Sequence, residues 1–287
     1  MLAADRFDAL LTALDVPPAE RAQVLEAAER PITLLGQHYG APTAVERPWI
    51  IGAWHKDTAV HPVRDVDVLV TLPPPLETPS GVVDNLPLEL LHDLKAVLRA
   101  NDLDARLRQD GLGIRVQQDH VSVEVYAGFA RGGGLYDICD AGGGRFRRLA
   151  PAAERDRLDE SDRRTRGCTR VLVRLLKAWQ GHRGVPIASV ALEWFAIQAL
   201  LTWSHEREGS RYYDWMVRDA FVYIDECQRD IVDIPDTGER LTIGTAWSPL
   251  VHVAREHAVK ACEFEAAGRD RDAWWEWEKI FGDRVPL

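Results

Sequence analysis

Residues 50–72 read IIGAWHKDTAVHPVRDVDVLVTL, and the last third of that stretch decides the fold. From Asp65 to Leu72 polar and apolar residues alternate with a period of two until Pro73, Pro74 and Pro75 stop the run, the pattern of a half-buried strand. Val66, Val68 and Val70 then leave one face and Asp65 and Asp67 the other. Two carboxylates on one spot repel, and a divalent cation or a raised pKa in one partner relieves the repulsion. The cation is the simpler answer. Upstream, Trp49, Ile50 and Ile51 read as a short preceding strand that ends at Gly52, thirteen positions before Asp65.

A second alternating run, HVSVEVYAGF at 120–129, puts Val121, Val123 and Val125 on one face and Ser122, Glu124 and Tyr126 on the other. In a suitable register Glu124 comes beside the two aspartates, and three carboxylates can hold two Mg²⁺ ions. Paired hard cations ~4 Å apart suit phosphoryl transfer, where they activate a hydroxyl and steady a leaving pyrophosphate. At Gly52 the missing Cβ lets backbone approach a triphosphate, and the following loop supplies Lys56 and Thr58. The flanking His55 and His61 read as solvent-exposed or supporting groups, since nothing in this chemistry requires an imidazole.

Further outward, residues 3–38 read as helical with a break at Pro17-Pro18, and Leu86 to Leu98 as a helix with Leu90, Leu91, Leu94 and Leu98 on one side. Strands are expected at 104–107 and 113–117. The runs Gly132–Gly134 and Gly142–Gly144 lack the continuation of a phosphate-binding loop and read as flexible hairpins. From about Glu160 onward the pattern is helical, so the second half is expected to be an all-helical layer. The polar stretch Pro151 to Asp162 is the expected boundary. The expected architecture is α/β (α+β): a mixed sheet carrying the acids, then a helical lobe, with a nucleotide cleft between. The segments are 1–44, 45–155 and 156–287.

Composition narrows the function classes. Of the 287 residues, 46% are hydrophobic and 28% charged, ordinary globular values. The net charge is −10, which disfavours a duplex-wrapping nucleic-acid protein. No apolar run approaches the ~20 residues that span a bilayer, and MLAADRFDALL has acids where an export signal has a basic flank. A soluble, cytoplasmic protein is expected. Cys139, Cys168, Cys227 and Cys262 form no CxxC pair and read as buried thiols rather than metal ligands.

With these residues in view, GAWHKDTAVHPVRDVDVLV at 52–70 resembles the GS-x-x-x-x-T-x-x-x-P-x-x-D-x-D signature of the nucleotidyltransferase superfamily related to DNA polymerase β. More narrowly the chain is similar to the bacterial cGAS/DncV-like nucleotidyltransferases. VEVYAGF at 123–129 resembles that family's third-acid strand, residues 174–200 its Lys-bearing helix and following Ser-led helix, and AWWEWEKIFGDRVPL at 273–287 its C-terminal ending. The resemblance implies a polymerase-β-like fold and an enzyme that joins nucleoside triphosphates into cyclic or short linear oligonucleotide signals during phage defence. It implies Asp65, Asp67 and Glu124 as Mg²⁺ ligands, with Mn²⁺ as a substitute, and Lys177 and Ser189 on the donor phosphates. Two residues depart from the pattern. Ala53 stands where the motif has Ser, removing one hydroxyl contact to phosphate, and Ala127 replaces the usual Pro.

Residues 145–177 hold eleven Arg or Lys and five acids. Arg163, Arg166, Arg170, Arg174 and Lys177 are expected on one cationic stripe of one helix. That stripe leaves RNA as a conceivable though disfavoured partner. Trp194, Trp203, Trp215, Trp247, Trp274, Trp275 and Trp277 read as packing residues. Tyr212 and Tyr213 are the candidates for stacking on a base, and Arg108 and Asp110 are further candidates for the cleft. Two rival functions share the motif: a nucleotidyltransferase that modifies tRNA or protein ends, and a degenerate nucleotide-binding module.

Overall fold

The computed structural model describes residues 3–40, 50–73, 86–107, 112–118, 121–140, 144–227 and 229–284. Arg108 and Asp110 lie outside them, as do Trp49, Pro74, Pro75, His120, Gly142 and Gly143. The chain divides into two compact units.

The sheet unit comprises residues 16–155 and 234–239. It opens with α2 (Pro18–Tyr39), which follows α1 (Ala3–Ala13) across the expected proline break. Pro18 stands in the first turn, where a missing N–H costs nothing, and Gly40, at φ 61°, closes the helix through its N–H to the Gly36 carbonyl. After the one-turn helix α3 (Gly52–His55) come β1 (Asp65–Thr71), α4 (Leu86–Ala100), β2 (Asp104–Leu107), β3 (Ile114–Gln118), β4 (Val121–Gly132), β5 (Leu135–Asp140) and β6 (Arg145–Leu149). They form one six-stranded sheet ordered β2-β3-β4-β5-β6, with β1 parallel to β4 and all other pairs antiparallel. The valine face packs as predicted. Val66, Val68, Val70, Val123 and Val125 join Val24, Ala28 and Leu35 of α2 and Leu91, Leu94 and Leu98 of α4 in one buried core.

Two expectations are corrected here. Ile50 and Ile51 form no strand: Ile50 makes a single bridge to Val68, and Gly52 begins a helical turn instead of ending a strand. The segment from Leu135 to Leu149, which alternation did not mark, supplies β5 and β6. The glycine run 132–134 turns β4 into β5, with φ values of 83°, 62° and 77° that favour glycine.

The helical unit comprises residues 1–15, 156–233 and 240–287. The expected boundary stretch is helix α5 (Pro151–Arg164), within which the two units divide between Arg155 and Asp156, followed by α6 (Cys168–Arg183), α7 (Ser189–Ala199), α8 (Tyr213–Cys227), α9 (Ser248–Ala266) and α10 (Asp270–Phe281). The all-helical expectation needs one amendment, a two-stranded hairpin of β7 (Ile231–Asp233) and β8 (Arg240–Thr242). Aromatics make the core: Trp179 meets Phe221 edge-on at 5.1 Å, Phe195 meets Trp247 at 5.5 Å, and Phe7 meets Trp277 at 5.2 Å. Trp247 and Trp277 pack as expected, whereas Trp215 and Trp275 are exposed. Among the described residues no helix is long and apolar enough to cross a membrane.

Candidate active site

Strand phasing places the acids. β1 and β4 run parallel with Asp65 opposite Ser122 and Asp67 opposite Glu124, so Asp67 and Glu124 are direct neighbours on the face away from the valine core. Asp65 is exposed and Asp67 half-buried, while Glu124, between β1 and β3, is 1% exposed. The Tyr126 hydroxyl donates to Asp67 Oδ1 over 3.4 Å. Leu69, Ile51 and Ile138 form a small apolar cluster beside these groups.

The loop from Gly52 to Arg64 is built around Asp67. The Ile51 N–H donates to the Asp67 carbonyl at 2.9 Å, and a Cβ on Gly52 would fall 2.0 Å from Asp67 Oδ2. With φ at +62° the position excludes other residues both by conformation and by space. The Thr58 amide donates to the Ala53 carbonyl at 2.9 Å, and its hydroxyl lies 3.5 Å from the same oxygen. Thr58 is fully buried, so it braces the turn. Lys56, the other group this loop supplies, is buried too, its Nζ 2.9 Å from Glu154 Oε2. At the far end Glu20 of α2 takes the Val63 N–H at 2.8 Å and the His61 ring, and the Ser122 N–H donates to the Arg64 carbonyl. His61 is thereby a supporting group. Gly52 and Ala53 are half-buried at the mouth of this turn.

The donor set fits a hard divalent cation, since all three side chains offer carboxylate oxygens and Gly52 leaves room for backbone beside Asp67. Their oxygens do not yet gather: the three carboxylates do not all lie within 4.8 Å of one another. Glu124 is engaged elsewhere. Arg115, its cross-strand partner on β3, holds Glu124 Oε1 with its Nε at 2.7 Å.

The other predicted residues lie in the helical unit. Lys177 on α6 is buried with its Nζ 3.7 Å from Glu193 of α7. Ser189 is exposed as the first residue of α7. Tyr212 is half-buried, its ring 4.7 Å from His205 and 4.8 Å from Trp215, with Arg211 at 5.5 Å. Tyr213 packs inward, and burial pushes its phenol up to about 12. The single cationic stripe is corrected, because the helix breaks at Thr165–Gly167, where Arg166 and Gly167 take positive φ. Arg170 binds Asp159 and Asp162, and Arg174 binds Asp15 at 2.6 Å.

One cluster escaped the sequence reading. Asp214 of α8 and Cys262 and Glu265 of α9 bring potential ligand atoms within 4.8 Å of one another. Burial raises both carboxyls, that of Glu265 to about 8, while Trp277 Nε1 donates to Glu265 Oε1 at 2.9 Å. No spacing motif links α8 to α9, so only packing reveals the cluster.

Residues 1–162 match the profile of the Second Messenger Oligonucleotide or Dinucleotide Synthetase domain. No curated protein matches the chain. Among solved structures, the Vibrio cholerae di-nucleotide cyclase DncV, in complex with ATP and GTP, is 15% identical, with 99% of this chain and 96% of that chain covered and a TM-score of 0.73. Escherichia coli CdnC, in complex with HORMA-deltaN, is 16% identical, covers 99% and 98%, and has a TM-score of 0.67. Bradyrhizobium diazoefficiens CdnG, in complex with GTP, is 16% identical, covers 99% and 96%, and has a TM-score of 0.66. At these identities the likeness is one of fold.

Proposed function

The chain belongs to the family of second messenger oligonucleotide or dinucleotide synthetases, and we propose that Asp65, Asp67 and Glu124 are its catalytic carboxylates. It is a nucleotidyltransferase that makes cyclic oligonucleotide second messengers. The finer reading is that it joins nucleoside triphosphates with loss of pyrophosphate, using Mg²⁺ or Mn²⁺, in the cytoplasm during defence against phage. One observation carries this reading: Asp67 and Glu124 face each other across parallel β1 and β4 beneath a loop that closes on Asp67 at a glycine.

In that reading residues 45–155 form the catalytic domain and 156–287 the nucleotide-binding lobe. Asp65 and Asp67 would hold two ions and Glu124 the catalytic one. Divalent cations so held neutralise charge on the reacting phosphate and ease ionisation of the attacking hydroxyl. Glu124 helps take the proton from the acceptor ribose hydroxyl, whose oxygen bonds to the α-phosphorus as the bond to pyrophosphate breaks. Gly52 and Ala53 give the phosphates a close backbone approach. Lys177 neutralises charge gathering on the leaving pyrophosphate, Ser189 donates its exposed hydroxyl to the donor phosphates, and Tyr212 stacks on a base.

The test is mass spectrometry of products formed from all four NTPs with Mg²⁺ or Mn²⁺. The parent is expected to make small phosphatase-resistant nucleotides, and Asp65→Ala/Asp67→Ala to lose on the order of a thousandfold in rate while keeping its fold. A folded double variant that matches the parent removes the assignment. Labelled RNA or protein as the product would favour the end-modifying rival, and binding without turnover the degenerate module.

A further inference from the structure

Arg115 stands beside the acid cluster without belonging to the motif that marks it. It lies on β3, directly across from Glu124 in the antiparallel β3–β4 pair, with Asp67 opposite Glu124 on the other side. Glu124 is thus flanked by a carboxylate on one strand and a guanidinium on the next. The guanidinium has taken it, with Nε 2.7 Å from Oε1. The pair is lopsided: the Arg115 side chain is 50% exposed and that of Glu124 only 2%. A buried carboxylate next to another carboxylate needs a positive partner, and a bond between two charged groups is about twice as strong as a neutral one. A partner that reaches in from solvent can also swing back into it, because its own charge loses little by leaving.

We propose that Arg115 is a positioning residue that serves as a built-in stand-in cation, holding Glu124 away from Asp65 and Asp67 until a divalent ion displaces it. Two observations converge on this. Glu124 is bonded to Arg115, and Asp65, Asp67 and Glu124 are not among the described residues whose ligand atoms gather as a threesome within 4.8 Å, although the strand register makes Asp67 and Glu124 neighbours. Displacement would rotate Glu124 toward β1 and withdraw the half-exposed Arg115 side chain into solvent. The release sets the concentration of divalent ion at which the site assembles. The inference deepens the reading of Glu124 as a metal ligand and rests on it.

The experiment measures Mn²⁺ binding to the full chain without nucleotide, by the paramagnetic resonance signal of the free ion, in the parent, Arg115→Gln, Arg115→Lys and Glu124→Gln. Removing a charge-assisted bond that competes with the ion should lower the Mn²⁺ Kd of Arg115→Gln by about tenfold. Arg115→Lys keeps the charge without the planar fork and should fall between. Unchanged or weaker binding in Arg115→Gln, with Glu124→Gln still impaired, overturns the inference and makes Arg115 a structural brace. If Glu124→Gln binds Mn²⁺ as well as the parent, the metal-ligand reading itself fails and this inference with it. Arg115 is half-exposed, so its substitution leaves the core intact, and matching far-UV circular dichroism spectra of the metal-free parent and variants confirm that the comparison is between folded proteins.

Discussion

At Gly52 one absent carbon decides how the loop meets the acid strand, since a Cβ would collide with Asp67 Oδ2. The neighbouring position carries the opposite lesson. Ala53 stands where the resembled motif has Ser, and the buried Thr58 hydroxyl lies 3.5 Å from the Ala53 carbonyl. Restoring the hydroxyl by Ala53→Ser should raise the rate at limiting NTP by about tenfold, the worth of one hydrogen bond to a charged group. Initial rates of pyrophosphate release check this, and an unchanged rate would mean that backbone amides already satisfy the phosphate. Spacing in the sequence was enough to mark Gly52, Asp65, Asp67 and Glu124. Arg115 was not legible, because an arginine in an alternating strand looks like any solvated residue until its cross-strand partner is known.

Elements behaved according to how much of their pattern is local. β1, β4, α2 and α4 follow from periodicity, because each has one buried face and a clear stop. The expected cationic helix did not survive, since positive φ at Arg166 and Gly167 divides it and Arg170 and Arg174 are spent on Asp159, Asp162 and Asp15. The α8–α9 contact holds the least expected chemistry. Burial raises Glu265 from the ordinary 4.5 to about 8 beside Asp214, so between those pH values the folded state binds more protons than the unfolded chain. Stability contributed by this carboxyl is therefore complete below about pH 4.5 and declines as pH rises toward 8. Urea unfolding at pH 5.5 and 8.5 should give a smaller drop for Glu265→Gln than for the parent; equal drops would assign the pH dependence to other groups.

Across the whole molecule, chain order and spatial grouping part company. Residues 1–15 group with the C-terminal helices, and Phe7 packs on Trp277 and Phe281 some 270 positions away. Phe7→Ala should cost about 3–5 kcal/mol by opening a cavity among those rings. Chemical denaturation measures it, and a loss below about 1 kcal/mol would mean that α1 contributes little to the helical core. The charge distribution also changes meaning at this scale. The local excess of cations at 145–177 reads as a polyanion-binding surface in one dimension, yet Arg147, Arg170, Arg174 and Lys177 each face a carboxylate.

The sequence by itself determined the acid-bearing strands, the two faces of the sheet and the family motif. These depend on side-chain alternation and short spacing, which a linear chain carries intact. Tertiary structure alone decided that Glu124 pairs with Arg115, that Lys56 and Thr58 are buried braces, and that Asp214 and Glu265 meet side by side between α8 and α9. Each depends on register or helix packing, where groups distant along the chain become neighbours at a separation that no local pattern encodes.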